Sequence, residues 1–393
     1  MSAASRLFGP MRVPFLALAL VCVALGVATA WHAEGRVAWP FAALALVAAL
    51  AAHVSVNAFN EYLDFRSGLD LNTERTPFSG GSGALPADPS AAPLALALAA
   101  VSLAIAVAIG LWLVSVRGAV LLPLGVAGVI LIVAYTSVIT RNPYACLVAP
   151  GLGFGPLMVV GTHIAVAGRY DTAAGVAALV PFFLVNALLL LNQFPDVEAD
   201  RGVGRRHLPI AWGRPRAAGV FVALYALAYL SLVAGVLAGA LPWPCLLGLA
   251  TLPLAIPAAR DALRHADDPK ALLSAMGRNV MVNLATPALV AVGLRDPAAQ
   301  ATVRDPEIRR DLRDRLVAGS GQLHRTPAEL RRMCTRHLDF LSEATTVASA
   351  RLSVNPGDLH YPCSEDEGMN LGSSVRRQSS GGSQPVRPRV SAQ

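Results

Sequence analysis

The chain has 393 residues, 54% of them hydrophobic and only 15% charged, with a mean hydropathy of +0.52 and a formal net charge of +7. Soluble globular chains carry about 25% charged residues, so a purely soluble enzyme, a disordered protein and a disulfide scaffold are all excluded. Residues 1–294 hold 17 basic and 13 acidic side chains, while the last quarter holds 15 and 12. This is the pattern of a membrane domain followed by a hydrophilic extension.

Uncharged runs of spanning length follow one another: residues 13–33, 37–60, 91–116, 118–140, 142–168 and 172–195. Each exceeds or approaches the roughly 20 residues needed to cross a bilayer. Residues 217–259 are twice that length, with Pro242-Trp243-Pro244 near the middle, and read as a hairpin of two spans. Residues 271–294 form a ninth, interrupted by Arg278. Lipid leaves backbone groups no outside partner, so the spans are expected to be helices. The fold class expected is therefore all-α, nine transmembrane helices around a central cavity. The first run resembles a signal peptide, with Arg6 and Arg12 before it and Ala28-Thr29-Ala30 at its end. With eight further spans, an uncleaved first helix is the ordinary reading.

Basic residues orient the bundle. With the N-terminus in the cytoplasm, thirteen Arg or Lys fall on cytoplasmic segments, against Arg36, Arg117 and Arg169 on the other side. A multi-pass protein of the inner cell membrane is expected. Lys270 is the only lysine, a composition that reads as a GC-rich genome; no nucleic-acid partner is expected.

The hydrophilic part divides at about residue 370. Thr326-Pro327-Ala328-Glu329 is an N-cap, a proline at N1 and a capping-box glutamate, opening an amphipathic helix within residues 295–370. Residues 371–393 are Gly/Ser/Arg-rich and read as disordered. Cys22, Cys146 and Cys245 sit in apolar runs as packing residues, and Cys334 and Cys363 could pair outside the cytoplasm.

Seven of the 13 carboxylates in residues 1–294 fall in two short windows. The first runs Asn57-Ala-Phe-Asn60-Glu61-Tyr-Leu-Asp64 and on through Asp70 to Glu74; the second is Asn192-Gln-Phe-Pro-Asp196-Val-Glu198-Ala-Asp200-Arg201. Helical spacing puts Asn57, Asn60, Glu61 and Asp64 on one face, and Asn192, Asp196 and Asp200 on another. A carboxylate near membrane depth costs about 2–3 kcal/mol and is normally paired or functional. Two like-charged clusters on one side of the membrane call for a divalent cation, and oxygen ligands without His or Cys point to Mg²⁺ held partly by substrate phosphates. Arg75-Thr76-Pro77-Phe78-Ser79-Gly80-Gly81-Ser82-Gly83 can present backbone N–H groups and a guanidinium fork to an anion. Arg141, Arg201, Arg205 and Arg206 share that side, where topology alone would also put them.

These windows resemble the UbiA superfamily of intramembrane prenyltransferases: Asn-x-x-Asn-(Asp/Glu)-x-x-Asp-x5-Asp after the second span and Asp-x3-Asp after the sixth. Gly68-Leu-Asp70 and the Ser79-to-Gly83 loop look most like the menaquinone-type branch, which prenylates dihydroxynaphthoate. The stretches 135–141 and 151–156 are similar to the family as well, and the resemblance covers about residues 10–294. It implies two Mg²⁺ ions clamping a polyprenyl diphosphate. Asp64 and Asp70 would hold one and Asp196 and Asp200 the other, with Asn57 and Asn60 assisting and Asn60 also a candidate ligand. Arg75 and Arg141 would stabilise the leaving diphosphate, with Gly80, Gly81 and Arg201 around it, and an aromatic ring would trap the allylic cation. Glu61 stands where many members have Asp, a longer reach that argues against direct ligation; Thr140 stands where some place a lysine. A non-aromatic acceptor remains an alternative within this chemistry. A secondary transporter is the alternative outside it, but that predicts acids in mid-span rather than at span ends.

Weaker candidates complete the inventory. His53, one turn before Asn57, lines the same cavity or packs; His163 reads as a packing histidine. Arg278, Asn279 and Asn283 either meet substrate or bond other helices. Tyr135, Tyr144 and Trp112 read as interfacial anchors.

Overall fold

The computed structural model describes residues 3–295. The expected extension beyond residue 295, the capped helix from Thr326, Cys334, Cys363 and the 371–393 tail lie outside the described residues.

Every regular element among the described residues is helical. They are α1 (Ala3–Met11), α2 (Ala17–Glu34), α3 (Trp39–Arg66), the short α4 (Leu69–Asn72) and α5 (Ala84–Ala87), α6 (Ala92–Arg117) and α7 (Leu122–Ala134). Next come α8 (Pro143–Leu152), a π-helical stretch (Gly153–Val160), α9 (Gly161–Ala167) and α10 (Thr172–Asn192). The short α11 (Val197–Gly202) and α12 (Leu208–Trp212) precede α13 (Arg214–Leu237), α14 (Leu252–Arg264) and α15 (Leu273–Leu294). Seven helical segments are long and apolar enough to cross a membrane, by length and composition. The other two expected spans fall short of that measure. Ala119–Ala134 is apolar but short, and α15 carries Arg278, Asn279 and Asn283 in its first half.

Helix starts follow local chemistry. Asn142 accepts hydrogen bonds from the Tyr144 and Ala145 N–H groups at the start of α8, and Asp171 accepts from Ala173 N–H at the start of α10. The hairpin expected around Pro242-Trp243-Pro244 forms, with α13 ending at Leu237 and a 3₁₀ turn over Trp243–Thr251 leading into α14. α3 runs on past the end of its uncharged stretch to Arg66, carrying Glu61 and Asp64 as their helical spacing predicts, and Asp70 follows on α4. One boundary differs from expectation. In the second window α10 stops at Asn192, and Asp196 stands at the N-cap position of the separate helix α11 without a side-chain capping bond. Pro195 has no N–H to continue the ladder, so Asn192, Asp196 and Asp200 do not share one helix face; a turn brings them together instead.

The core is dense with small residues. Gly151 and Gly155 lie one turn apart, and a Cβ on either would strike α10: the Phe182 carbonyl oxygen for Gly151, and the Ala178 carbonyl oxygen at 2.5 Å for Gly155. This small-residue spacing lets two backbones approach closely. Asn186 of α10 seals the crossing by accepting a 2.6 Å bond from Gly151 N–H. Pro156 withholds an N–H within the π stretch, which fits the wider turn there.

Buried polar side chains tie the later helices together. Tyr225 donates to Asn279 at 2.8 Å, and Thr251 lies 2.8 Å from both Tyr229 and Thr286. Asn283 donates to the Asn279 side chain, and Arg278 pairs with Asp261 at 2.5 Å. Arg278, Asn279 and Asn283 thus bond to protein. His163 likewise meets Thr29 at 3.0 Å between helices. On the flank formed by α6 and α7 the wall is thin: α7 has no buried residue, Leu103, Val107 and Val129 line the cavity, Leu111 and Val126 both line it and are exposed, and Val101 and Val133 are exposed off it.

Overpacking a tight crossing typically costs about 1–3 kcal/mol. Gly151→Val should therefore lower the thermal midpoint of the detergent-purified protein by several degrees, read by size-exclusion recovery after heating. Wild-type behaviour would show that α8 and α10 do not cross closely there.

Candidate active site

A cavity of about 660 Å³ runs from the acidic windows down between α3, α6, α7 and the π stretch. Asn57, Asn60 and Asp64 reach it from α3, Asp70 from α4, and Gly80 and Gly81 from the glycine-rich loop. Asn192, Asp196, Asp200 and Arg205 close it from the other side. The two windows, more than 120 residues apart, thus face one space. Below them the walls are almost wholly apolar.

The carboxylates are held out of water and sorted by partner. Glu61, fully buried, is a tether: Ser82 donates to it from N–H at 2.7 Å and from Oγ at 2.8 Å, and the Arg12 guanidinium bonds it at 2.7 Å. Arg12 also donates to Asn60 at 3.1 Å. To reach them it adopts φ +50, the non-glycine exception to negative φ among the described residues, at the break between α1 and the first span. Arg205 spans both windows, pairing with Asp64 and, at 2.9 Å, with Asp200. His207 Nε2 lies 3.0 Å from the second Asp200 oxygen. Two carboxylates beside Arg205 raise its own pKa against the burial that lowers it.

Asp70 and Asp196 are left differently. One oxygen of each, Asp70 Oδ2 and Asp196 Oδ1, is buried without a hydrogen-bond partner, as is Asn192 Oδ1. Burial first, then Glu61 and Asp64, push the Asp70 carboxyl up to about 7; burial and then Asp200 do the same to Asp196. Orphaned, crowded oxygens of this kind fit a hard divalent cation, which would satisfy them and relieve the repulsion. No three His, Cys, Asp or Glu side chains among the described residues converge into a complete cation site.

The loop is more committed than its sequence suggests. Thr76 Oγ1 accepts from Phe78 and Ser79 N–H, and Ser82 N–H is spent on Glu61. Gly81, at φ +75, must lack a side chain, since a Cβ would sit 2.9 Å from Asp70 Oδ1. Arg75 is exposed; it lies against Gly83, bonds the Asp70 carbonyl oxygen at 3.2 Å, and does not line the cavity. Arg141 and Arg201 are also exposed and off the cavity wall, Arg201 pairing with Glu198 at 2.9 Å.

Sequence reasoning missed Arg12 and His207, and it took Tyr135 for an interfacial anchor, whereas all three line the cavity. Arg12 was hidden because an arginine before an apolar run also serves topology. His207 carried a signal, being two residues beyond Arg205 and seven beyond Asp200.

The UbiA prenyltransferase family matches residues 19–281. The chain belongs to that family, and it is a prenyltransferase. It is 26% identical over 245 residues to a 1,4-dihydroxy-2-naphthoate octaprenyltransferase of Bacillus subtilis (strain 168), covering 61% of this chain and 76% of that one. Its fold is similar to the apo structure of a UbiA homolog from Aeropyrum pernix K1, with a TM-score of 0.55, 19% identity, and 72% and 97% of the two chains covered. A structure of digeranylgeranylglyceryl phosphate synthase in membranes gives a TM-score of 0.53 at 15% identity, covering 75% and 99%.

Breaking a buried ion pair from one side costs about 3–5 kcal/mol. Arg205→Gln should lower the thermal midpoint markedly under chelation, and millimolar magnesium should restore part of the loss by offsetting the same carboxylates. An unchanged midpoint under chelation would remove Arg205 as the link between the windows.

Proposed function

We propose that the protein transfers a polyprenyl group from an allylic diphosphate to an aromatic acceptor, as a step in quinone biosynthesis. The observation that carries the reading is the pairing of unpartnered acidic oxygens, Asp70 Oδ2 and Asp196 Oδ1, with a long apolar cavity beneath them. A diphosphate bound through cations fits the first and a prenyl chain the second. The aromatic acceptor rests on the similarity to the naphthoate octaprenyltransferase.

Asp64, Asp70, Asp196 and Asp200 would hold Mg²⁺, with Asn57, Asn60 and Asn192 adding neutral oxygens. The bound metal would supply positive charge to a departing diphosphate. Arg12 and Arg205, on the cavity wall, would donate to its oxygens as charge builds there. Arg75 would act one step back by bracing Gly83 and the carbonyl of Asp70. Arg141 and Arg201, on the exposed rim, would draw the anionic donor in. Gly80 and Gly81 would let backbone approach the phosphate closely. The ring would attack the allylic carbon from the apolar side, where Leu103, Val107 and Met158 exclude water that would quench a cation. The chain would lie in the inner cell membrane with both acidic windows in the cytoplasm.

Transfer of radiolabelled prenyl diphosphate to 1,4-dihydroxy-2-naphthoate, followed by thin-layer chromatography, tests the reading. Chelation should abolish product and Mg²⁺ restore it; Asp64→Asn or Asp196→Asn should cost about a thousandfold or more in rate. Full activity in either variant would sink the two-window arrangement. Topology is checked separately. Single cysteines at Ser82 and Gly204, in a chain without its native cysteines, should resist membrane-impermeant maleimide in intact cells and react in inverted vesicles. Labelling of both from outside would reverse the orientation.

A further inference from the structure

His53 joins no hydrogen-bond network among the described residues. It lies on α3, seven residues before Asn60, which is two turns or ~10 Å deeper along the helix. Its side of α3 lines the same cavity as the acidic windows, and the residue is only 6% exposed. Nδ1 is buried without a partner, and neither ring nitrogen forms a hydrogen bond among the described residues. This is costly: a polar group left unsatisfied in an apolar site loses about 1–3 kcal/mol. Elsewhere on these helices His163 meets Thr29 through one ring nitrogen, and Ser55 donates to the Ala99 carbonyl. The ring is also fixed. Phe154 meets it edge-to-face, centroids 4.9 Å apart at 80°, and Phe154 belongs to the π-helical stretch. Such stretches recur at functional sites.

We propose that His53 binds the acceptor: its imidazole makes a hydrogen bond with the ring hydroxyl of a hydroxyaromatic substrate, and Phe154 packs beside that ring. This rests on the prenyl-transfer reading and adds to it the group that orients the acceptor. The position suits the task. A diphosphate held by Asp64, Asp70 and Asp196 puts its allylic carbon on the cavity side of those residues, and the acceptor must lie beyond that carbon. Of the polar side chains on the cavity-facing surface of α3, Asn57 and Asn60 have partners, in the Met11 carbonyl and in Arg12 with Thr136. His53 is the deeper one and has none.

The test uses the full chain in membranes, with 1,4-dihydroxy-2-naphthoate as acceptor. His53→Phe keeps the ring and removes the hydrogen bond. Its apparent KM for the acceptor should rise about tenfold while that for the prenyl diphosphate changes less than twofold. His53→Gln, which offers an amide at similar reach, should recover most of the loss. Competitive inhibition gives a second readout: wild type should prefer 1-hydroxy-2-naphthoate to 2-naphthoate, and His53→Phe should not distinguish them. If His53→Phe fails to insert, His53→Leu against His53→Gln carries the same comparison. A variant without hydrogen-bonding capacity that keeps wild-type acceptor KM and discrimination would overturn the proposal, as would an equal rise in both KM values. Absence of prenyl transfer by wild type to any hydroxyaromatic would instead strike the aromatic-acceptor reading itself, before any variant is made.

Discussion

The bundle depends on crowding carboxylates from distant parts of the chain into one poorly hydrated space. Glu61, Asp64, Asp70 and Asp200 are each buried to 95% or more, and like charges at such depth repel strongly. Two guanidinium groups make the arrangement possible. Arg205 joins the first window to the second through Asp64 and Asp200. Arg12 joins the start of the first span to α3 and, through Glu61, to the glycine-rich loop. Four separate stretches of chain are thereby fixed around one mouth. The partition is uneven, since Asp70 and Asp196 keep oxygens that no residue satisfies. The ion pairs of Glu61, Asp64 and Asp200 hold the walls of the mouth together.

Small residues do the corresponding work in the backbone. Gly81 admits the loop to within contact of Asp70, and Gly151 and Gly155 admit α10 to the span beside it. In lipid, helices gain little from hydrophobic association, so close packing and shared hydrogen bonds must hold them. The Tyr225–Asn279 and Thr251–Thr286 bonds supply the latter away from the cavity. The polar residues of α15 therefore belong to the scaffold.

Much of this was legible in the sequence. Apolar runs gave an all-helical membrane domain, and the two acidic windows with their asparagines marked the mouth of the cavity. What could not be read was partner choice. Arg75, Arg141 and Arg201 look as suited to an anion as Arg12 and Arg205, because sequence reports a charge and not the direction in which its side chain turns. Glu61 stood out in the sequence by a longer reach that argued against direct ligation, and its extra methylene carries the carboxylate to Ser82. Helical spacing linked Asn192, Asp196 and Asp200 correctly as neighbours but by the wrong geometry, since the Pro195 break replaces one face with a turn. Residues Tyr135 and His207 needed the fold, because only the bundle brings the fourth and sixth connections to the same opening.

The thin wall formed by α6 and α7 bears on how this enzyme would meet its substrates. Under the prenyl-transfer reading, a cavity bordered by so thin a partition would draw its apolar reactant from the plane of the bilayer and return a still more apolar product there. The relevant concentration is then a mole fraction in the membrane, not an amount per volume of buffer. Adding lipid at constant donor dilutes the reactant even though the bulk solution is unchanged. Saturation curves for this protein consequently have meaning only when the lipid or detergent content is stated beside them.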